Sequence, residues 1–243
     1  MYFTQYLHIL GYIIQINKRN IMLPRYENKI NEIQKMLSNL ISEVVQAHNQ
    51  ALVAFKDHNV DQFDAVKGTL KTIQSEANAI DNEIVKTFAL FGPEAQELRM
   101  LVAYLKLTNE LLRIAEGSKK YASRMREQCE GECNLKPFDE IVIQLHTTAL
   151  NAMIYIEACF KKPGECNVED LYRKVMVEES KNDDLFSILE KEIMTQIMGE
   201  QELSVEYVRI LGTLRKLERA CDRSGNIANL LLYAAKGGGI KDY

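Results

Sequence analysis

Positive charge is not in excess in this sequence. Thirty Lys and Arg residues face 34 Asp and Glu, for a formal net charge of −4. Lys18 and Arg19 are the only charges before residue 22, so the remainder carries −6. Duplex binding needs a basic face, so nucleic acid is not the expected main partner. The balance also argues against a large anion-binding surface, though it leaves room for a local basic pocket. Histidine is scarce: His8, His48, His58 and His146 are all there are. None follows a Glu by three residues, which removes the Glu-x-x-His pairs that a ferritin-like di-metal oxidase places on its bundle helices. No nucleophile motif, phosphate-binding loop or dinucleotide fingerprint occurs, so no enzyme activity is expected.

Five cysteines, Cys129, Cys133, Cys159, Cys166 and Cys221, make an odd number without a convincing secretion signal. Reduced thiols in a cytoplasmic protein are the expectation. A zinc site shared by Cys129, Cys133 and Cys166 is conceivable, but neither spacing is the CxxC of a zinc ribbon.

Long apolar runs are also missing. Residues 2–16 (YFTQYLHILGYIIQI) come closest, but Gln5, His8 and Gln15 break the run and it falls short of the ~20 residues a membrane helix needs. Its positive charges follow the apolar stretch instead of preceding it, unlike a signal peptide. Met22 opens "MLPRYENKI", which reads as the start of a helix. Residues 1–21 are therefore expected to be a non-native or disordered extension, with an amphipathic membrane anchor as the competing reading. Stable membrane insertion is not expected.

Helical periodicity dominates the rest. Pro24, Pro93, Pro137 and Pro163 sit where helices should begin or end, and Gly92, Gly131, Gly164, Gly199 and the run 237–239 mark further stops. No segment alternates like a strand. The spacing predicts helices over about 26–58, 60–91, 93–128, 136–161, 167–198 and 203–236, an all-α chain of long antiparallel helices. The halves look alike: "LLRIAEGSKKYA" (111–122) lines up with "LERACDRSGNIA" (217–228) through Leu111/Leu217, Arg113/Arg219, Ser118/Ser224 and Ala122/Ala228. An internal duplication follows, with one three-helix repeat over 22–130, a second over 134–236 and a tail over 237–243.

Acidic pairs interrupt the apolar stripes of the second half. Glu179 and Asp183 fall among Val175, Phe186 and Ile193; Glu218 and Asp222 fall among Leu211, Leu214, Gly225 and Leu232. Residues four apart share a helix face with Cβ atoms ~5–6 Å apart. Buried carboxylates are costly unless paired or bound to a cation, and hard oxygen ligands suit Mg²⁺, Ca²⁺, Mn²⁺ or iron. The alternative is a metal-free helical scaffold whose acids pair with Arg173, Lys174, Arg215, Arg219 and Arg223.

Residues 217–228 resemble the PhoU family's third-helix motif, approximately "LERIGDHAxNIA", through Leu217, Glu218, Arg219, Asp222, Asn226, Ile227 and Ala228. Residues 93–99 (PEAQELR) resemble the family's "PxAxDLR" turn into the first copy of that motif. The resemblance spans about 22–236. It implies two pseudo-symmetric three-helix bundles, acidic motifs that hold iron or another metal (Mn, Zn, Mg or Ca), and a homodimer. It implies a cytoplasmic, negative regulator of phosphate uptake that acts between a phosphate ABC transporter ATPase and a sensor histidine kinase. Glu179, Asp183, Glu218 and Asp222 then form the expected metal site. The first repeat departs from the pattern: Leu112 stands where the family has its first acid, and Glu76 and Asp81 are five residues apart. Glu76, Asp81, Glu110 and Glu116 remain as candidates for a second, incomplete site. Arg223 replaces the family's usual His, and Cys221 replaces Gly and is expected in the core.

Overall fold

The computed structural model describes residues 2–129, 135–199 and 201–237, with side chains from Pro24 onward except Gln201. Among the described residues there are seven α-helices: α1 (Tyr2–Lys56), α2 (Phe63–Thr69), α3 (Ile73–Phe91), α4 (Ala95–Cys129), α5 (Asp139–Lys161), α6 (Val168–Gly199) and α7 (Ser204–Lys236). No strand occurs among the described residues. The expected extension 1–21 and tail 237–243 fall outside the described side chains, apart from Gly237.

Helix ends follow local chemistry. Gly92 ends α3 in the left-handed region at φ 55°, which glycine adopts without a Cβ penalty. Asn167 caps α6: its Oδ1 accepts the backbone N–H groups of Glu169 and Asp170, each at 3.1 Å. Lys236, at the end of α7, is ion-paired with Glu169 in the first turn of α6. Two boundaries differ from the sequence reading. Helix α1 runs through Pro24 rather than starting after it. The single helix expected over 60–91 is broken between α2 and α3. Gly68, Thr69 and Thr72 are weak helix formers, and the break allows Val66, Leu70 and Ile73 all to reach the core. Thr69 Oγ1 donates to Gln50 Oε1 at 2.8 Å, which fixes the corner to α1.

Helices α1 to α4 form one bundle and α5 to α7 a second, so the two-repeat order is as expected. The bundles meet along two seams, α4 against α7 and α1 against α5, and one continuous apolar core runs through both. The α1–α5 seam is partly polar. Ser42 Oγ donates to Glu157 at 2.6 Å. Deeper in, His48 (α1), His146 (α5) and Tyr121 (α4) form a buried chain: His146 Nε2 lies 2.7 Å from the Tyr121 hydroxyl and its Nδ1 lies 3.3 Å from His48 Nε2. Burial pulls the His48 imidazole down to about 4, and burial, with His48 and Lys56 nearby, pulls His146 well below its usual range. Both rings are therefore neutral at pH 7. The chain fixes the register of three helices through groups that cannot be left unpaired.

Candidate metal centre

The second bundle brings α6 and α7 together around a cleft of about 630 Å³. Glu179 and Asp183 come from α6, Glu218 and Asp222 from α7, and all four line it. Glu179, Asp183 and Asp222 each offer a carboxylate oxygen within 4.8 Å of the others. Gly225 lies opposite α6: a Cβ there would touch Met176 Sδ at 3.5 Å.

The acids do not interrupt the apolar stripe itself, as the spacing suggested. A helix turns ~100° per residue, so relative to Val175 the core direction is shared by Phe186 and Ile193 at ~20° and ~0°, while Glu179 and Asp183 drift to ~40° and ~80°. The polar residues within the buried stripe of α6 are Glu178 and Asn182. Asn182 donates to the Leu145 carbonyl at 2.9 Å and to Thr148 Oγ1 at 2.6 Å, and Glu178 pairs with Lys181 at 3.2 Å. Glu178 is thus paired and the Asn182 amide N–H groups are used, while Asn182 Oδ1 is buried without a hydrogen-bond partner. The same drift along α7 carries Glu218 and Asp222 onto the flank that meets α6. The cleft is thus made by the edges of two apolar stripes, with Glu179 and Asp222 half-buried and Asp183 exposed.

The bases that could neutralise these acids are mostly engaged elsewhere. Arg173 and Lys174 pair with Asp170, Arg215 with Glu190, and Arg223 with Glu110. No ion pair joins any of the four cleft acids to a base among the described residues. Glu218 Oε2 is buried without a hydrogen-bond partner. Burial and then the neighbouring Asp183 and Asp222 charges push all these carboxyls up: Glu179 feels Asp183 and Asp222, Glu218 feels Asp222, and Asp222 feels Asp183. For Asp183, burial leads and Asp184 adds to it. A cation is the ordinary remedy for oxygen ligands in this state, and carboxylates alone fit a hard ion better than zinc. Cys221 is fully buried, and burial holds its thiol protonated well above the usual range, so it is a core residue.

The first-repeat candidates are dispersed. Glu110 (α4) pairs with Arg223 across the bundle seam at 2.8 Å. Glu116 lies in a separate cleft between α4 and α7, among Arg113, Lys120, Lys216 and Arg219. Glu76 faces Glu43 of α1, and burial and then Glu76 push the Glu43 carboxyl up to about 7. Asp81 keeps a buried Oδ1 without a partner, and burial raises its carboxyl. No group of three that includes these residues comes within bonding reach of one ion among the described residues. Glu110 and Glu116 both lie on the side of α4 that meets α7, and Leu112, where an acid was expected, is a partly buried residue packed on the core. Glu43 belongs to the same half-buried acidic pair and was not singled out from the sequence, because its partner Glu76 is 33 residues away on another helix.

The thiol expectation is corrected. Cys159 and Cys166 form a disulfide, with Cα atoms 4.9 Å apart across the turn that joins α5 to α6. Cys166 is therefore no zinc ligand with Cys129, and Cys133 lies outside the described residues. The Lys162–Gly164 turn brings both cysteines to one end of the bundle, a proximity that spacing alone did not reveal. No described helix is long and apolar enough to cross a membrane.

The comparisons agree with this architecture. The chain is 23% identical over 235 residues to the phosphate-specific transport system accessory protein PhoU homolog of Pseudomonas putida, spanning 93% of this chain and 88% of that protein. Its counterpart from Aquifex aeolicus is 24% identical over 219 residues, covering 88% of this chain and 94% of that protein. Among solved structures, PhoU from Pseudomonas aeruginosa superposes with a TM-score of 0.72 at 24% identity, covering 88% of this chain and 100% of that one. The phosphate transport system regulatory protein PhoU from Streptococcus pneumoniae gives 0.73 at 20% identity, covering 90% and 100%. The PhoU domain profile matches twice, over residues 27–125 and 142–231, once on each bundle, and the chain therefore belongs to the PhoU family.

Proposed function

We propose that this protein is a non-enzymatic regulator of phosphate transport, and that it works in the cytoplasm as an adaptor between a phosphate ABC transporter ATPase and a sensor histidine kinase, restraining phosphate uptake. The observation that carries the reading is the PhoU domain match on both bundles, joined to relatives named as phosphate transport accessory proteins. A homodimer is part of the same reading.

The acidic cleft is the site through which a metal would act. Glu179, Asp183, Glu218 and Asp222 would hold it, and the orphaned Glu218 Oε2 and the three converging oxygens support the fit. Iron is the first expectation by family, with manganese, magnesium or calcium equally served by oxygen ligands and zinc less so. A bound cation supplies the positive charge that lets four carboxylates share one cleft, and it fixes α6 against α7.

Deletion of the gene tests the regulatory reading: phosphate uptake and phosphate-responsive expression should both rise. Unchanged uptake and expression would sink it. Metal analysis of the purified protein tests the site independently. Loss of bound metal in the Glu179→Ala/Asp183→Ala/Glu218→Ala/Asp222→Ala variant supports the assignment, and retained stoichiometry refutes it.

A further inference from the structure

The cleft between α4 and α7 is basic in a chain that is acidic overall. Arg113 and Lys120 approach from α4, and Lys216, Arg219 and Arg223 from α7, around a space of about 140 Å³. Only Glu116 among the lining residues opposes them, and Glu110 engages Arg223 from beside the cleft. Five bases against two acids leave a local charge of +3 in a chain whose formal net charge is −4. The helix geometry explains the segregation. Arg219 and Arg223 each follow a cleft acid by one residue, and a ~100° step turns them from the α6 side of α7 to the α4 side. Helix α7 therefore carries an acidic face towards α6 and a basic face towards α4. Gly117, with nothing within 4 Å of an added Cβ, keeps the α4 wall low.

We propose that this α4–α7 cleft binds a single phosphoryl oxyanion, either free inorganic phosphate or the terminal phosphoryl group of a small metabolite. Three guanidinium groups and two ammonium groups converge there. Guanidinium forks bind phosphate oxygens bidentately, and ammonium groups add point charges. The space suits one tetrahedral anion and not an extended polyanion, and Glu116 at the edge and the acidic cleft on the adjacent face of α7 repel nucleic acid. The bases come from both repeats, so an anion held between them draws the bundles together along their main seam. This site is separate from the acidic cleft, and it stands or falls independently of the regulatory reading above.

Isothermal titration of the full chain with sodium phosphate, in low-salt buffer with chloride as the competing anion, tests it. One equivalent of phosphate should bind saturably. Lys120→Gln/Lys216→Gln should weaken binding at least about tenfold, because two charge-assisted contacts are lost. Arg209→Gln, an exposed base outside the cleft, should bind as the parent does. Far-UV circular dichroism and the melting curve of the double variant separate lost binding from lost fold, and Arg113→Gln, on the exposed rim, provides a second variant if the double variant does not fold. Phosphate binding with ADP no tighter identifies the free anion. Tighter ADP binding with the same dependence on Lys120 and Lys216 identifies a phosphorylated metabolite. Absence of saturable binding by both, or binding unmoved by Lys120→Gln/Lys216→Gln and Arg113→Gln, overturns the proposal.

Discussion

Acid should weaken this protein through His48. Its imidazole is held at about 4 by complete burial, against an ordinary value of 6.5. Between those values the unfolded chain takes up a proton that the native state refuses, so stability falls as pH drops through the window. A 2.5-unit difference corresponds to about 3 kcal/mol lost by pH 4, and about 2 kcal/mol lost by pH 5. His146, also held low, adds to the loss in the same direction. The Glu43 carboxyl, raised to about 7, acts oppositely: it costs stability when ionised above that value and returns it as pH falls. Comparison with His48→Gln cancels Glu43 and the other groups that do not face His48, and His146 stays low in the variant chiefly through its own burial. The variant itself should be less stable at pH 7 by about 1–3 kcal/mol, because His146 loses a buried partner. Urea unfolding followed by far-UV circular dichroism, at pH 7 and pH 5, gives four free energies. The parent should lose about 2 kcal/mol more than His48→Gln between the two pH values. Equal losses would refute the claim that a neutral, buried His48 links α1 to α5.

Other perturbations give distinct outcomes. Glu218→Gln should raise the melting temperature of metal-free protein, because it removes an ionised carboxylate whose Oε2 has no partner. Discounted for the solvent that still reaches the cleft, the gain is up to about 1 kcal/mol, roughly 2–4 °C; an unchanged or lower value in differential scanning calorimetry contradicts it. The same variant should lose the stabilisation that added manganese or iron gives the parent. Gly212→Ala, exposed within α7 with nothing within 4 Å of the new Cβ, should stabilise by about 0.5–1 kcal/mol in urea titrations. Replacing Cys159 and Cys166 by Ser opens a loop of sequence separation 7 and should cost about 2 kcal/mol. Mass analysis with and without thiol alkylation checks the bond itself.

Sequence periodicity by itself determined the helical class, the duplication and the position of the acids of the second half. Apolar residues at helical spacing fix which stretches are helices, because a helix that cannot bury its stripe is not stable in water. The ExxxD spacing of Glu179/Asp183 and Glu218/Asp222 fixed that each pair shares a face. Tertiary structure decided what each face meets. The drift of those pairs off the core direction, and the bonds that the Asn182 amide donates to Leu145 and Thr148 of α5, depend on how α6 packs on α5 and α7. The pairing of Glu110 with Arg223, the buried His48–His146–Tyr121 chain and the Cys159–Cys166 bond join residues brought together only when the helices pack. Arg219 and Arg223 show the limit most directly. In the sequence they stood among the possible partners of Glu218 and Asp222, the acids they follow. The ~100° turn per residue sends them to the other side of α7, where the first repeat supplies the rest of a basic cleft.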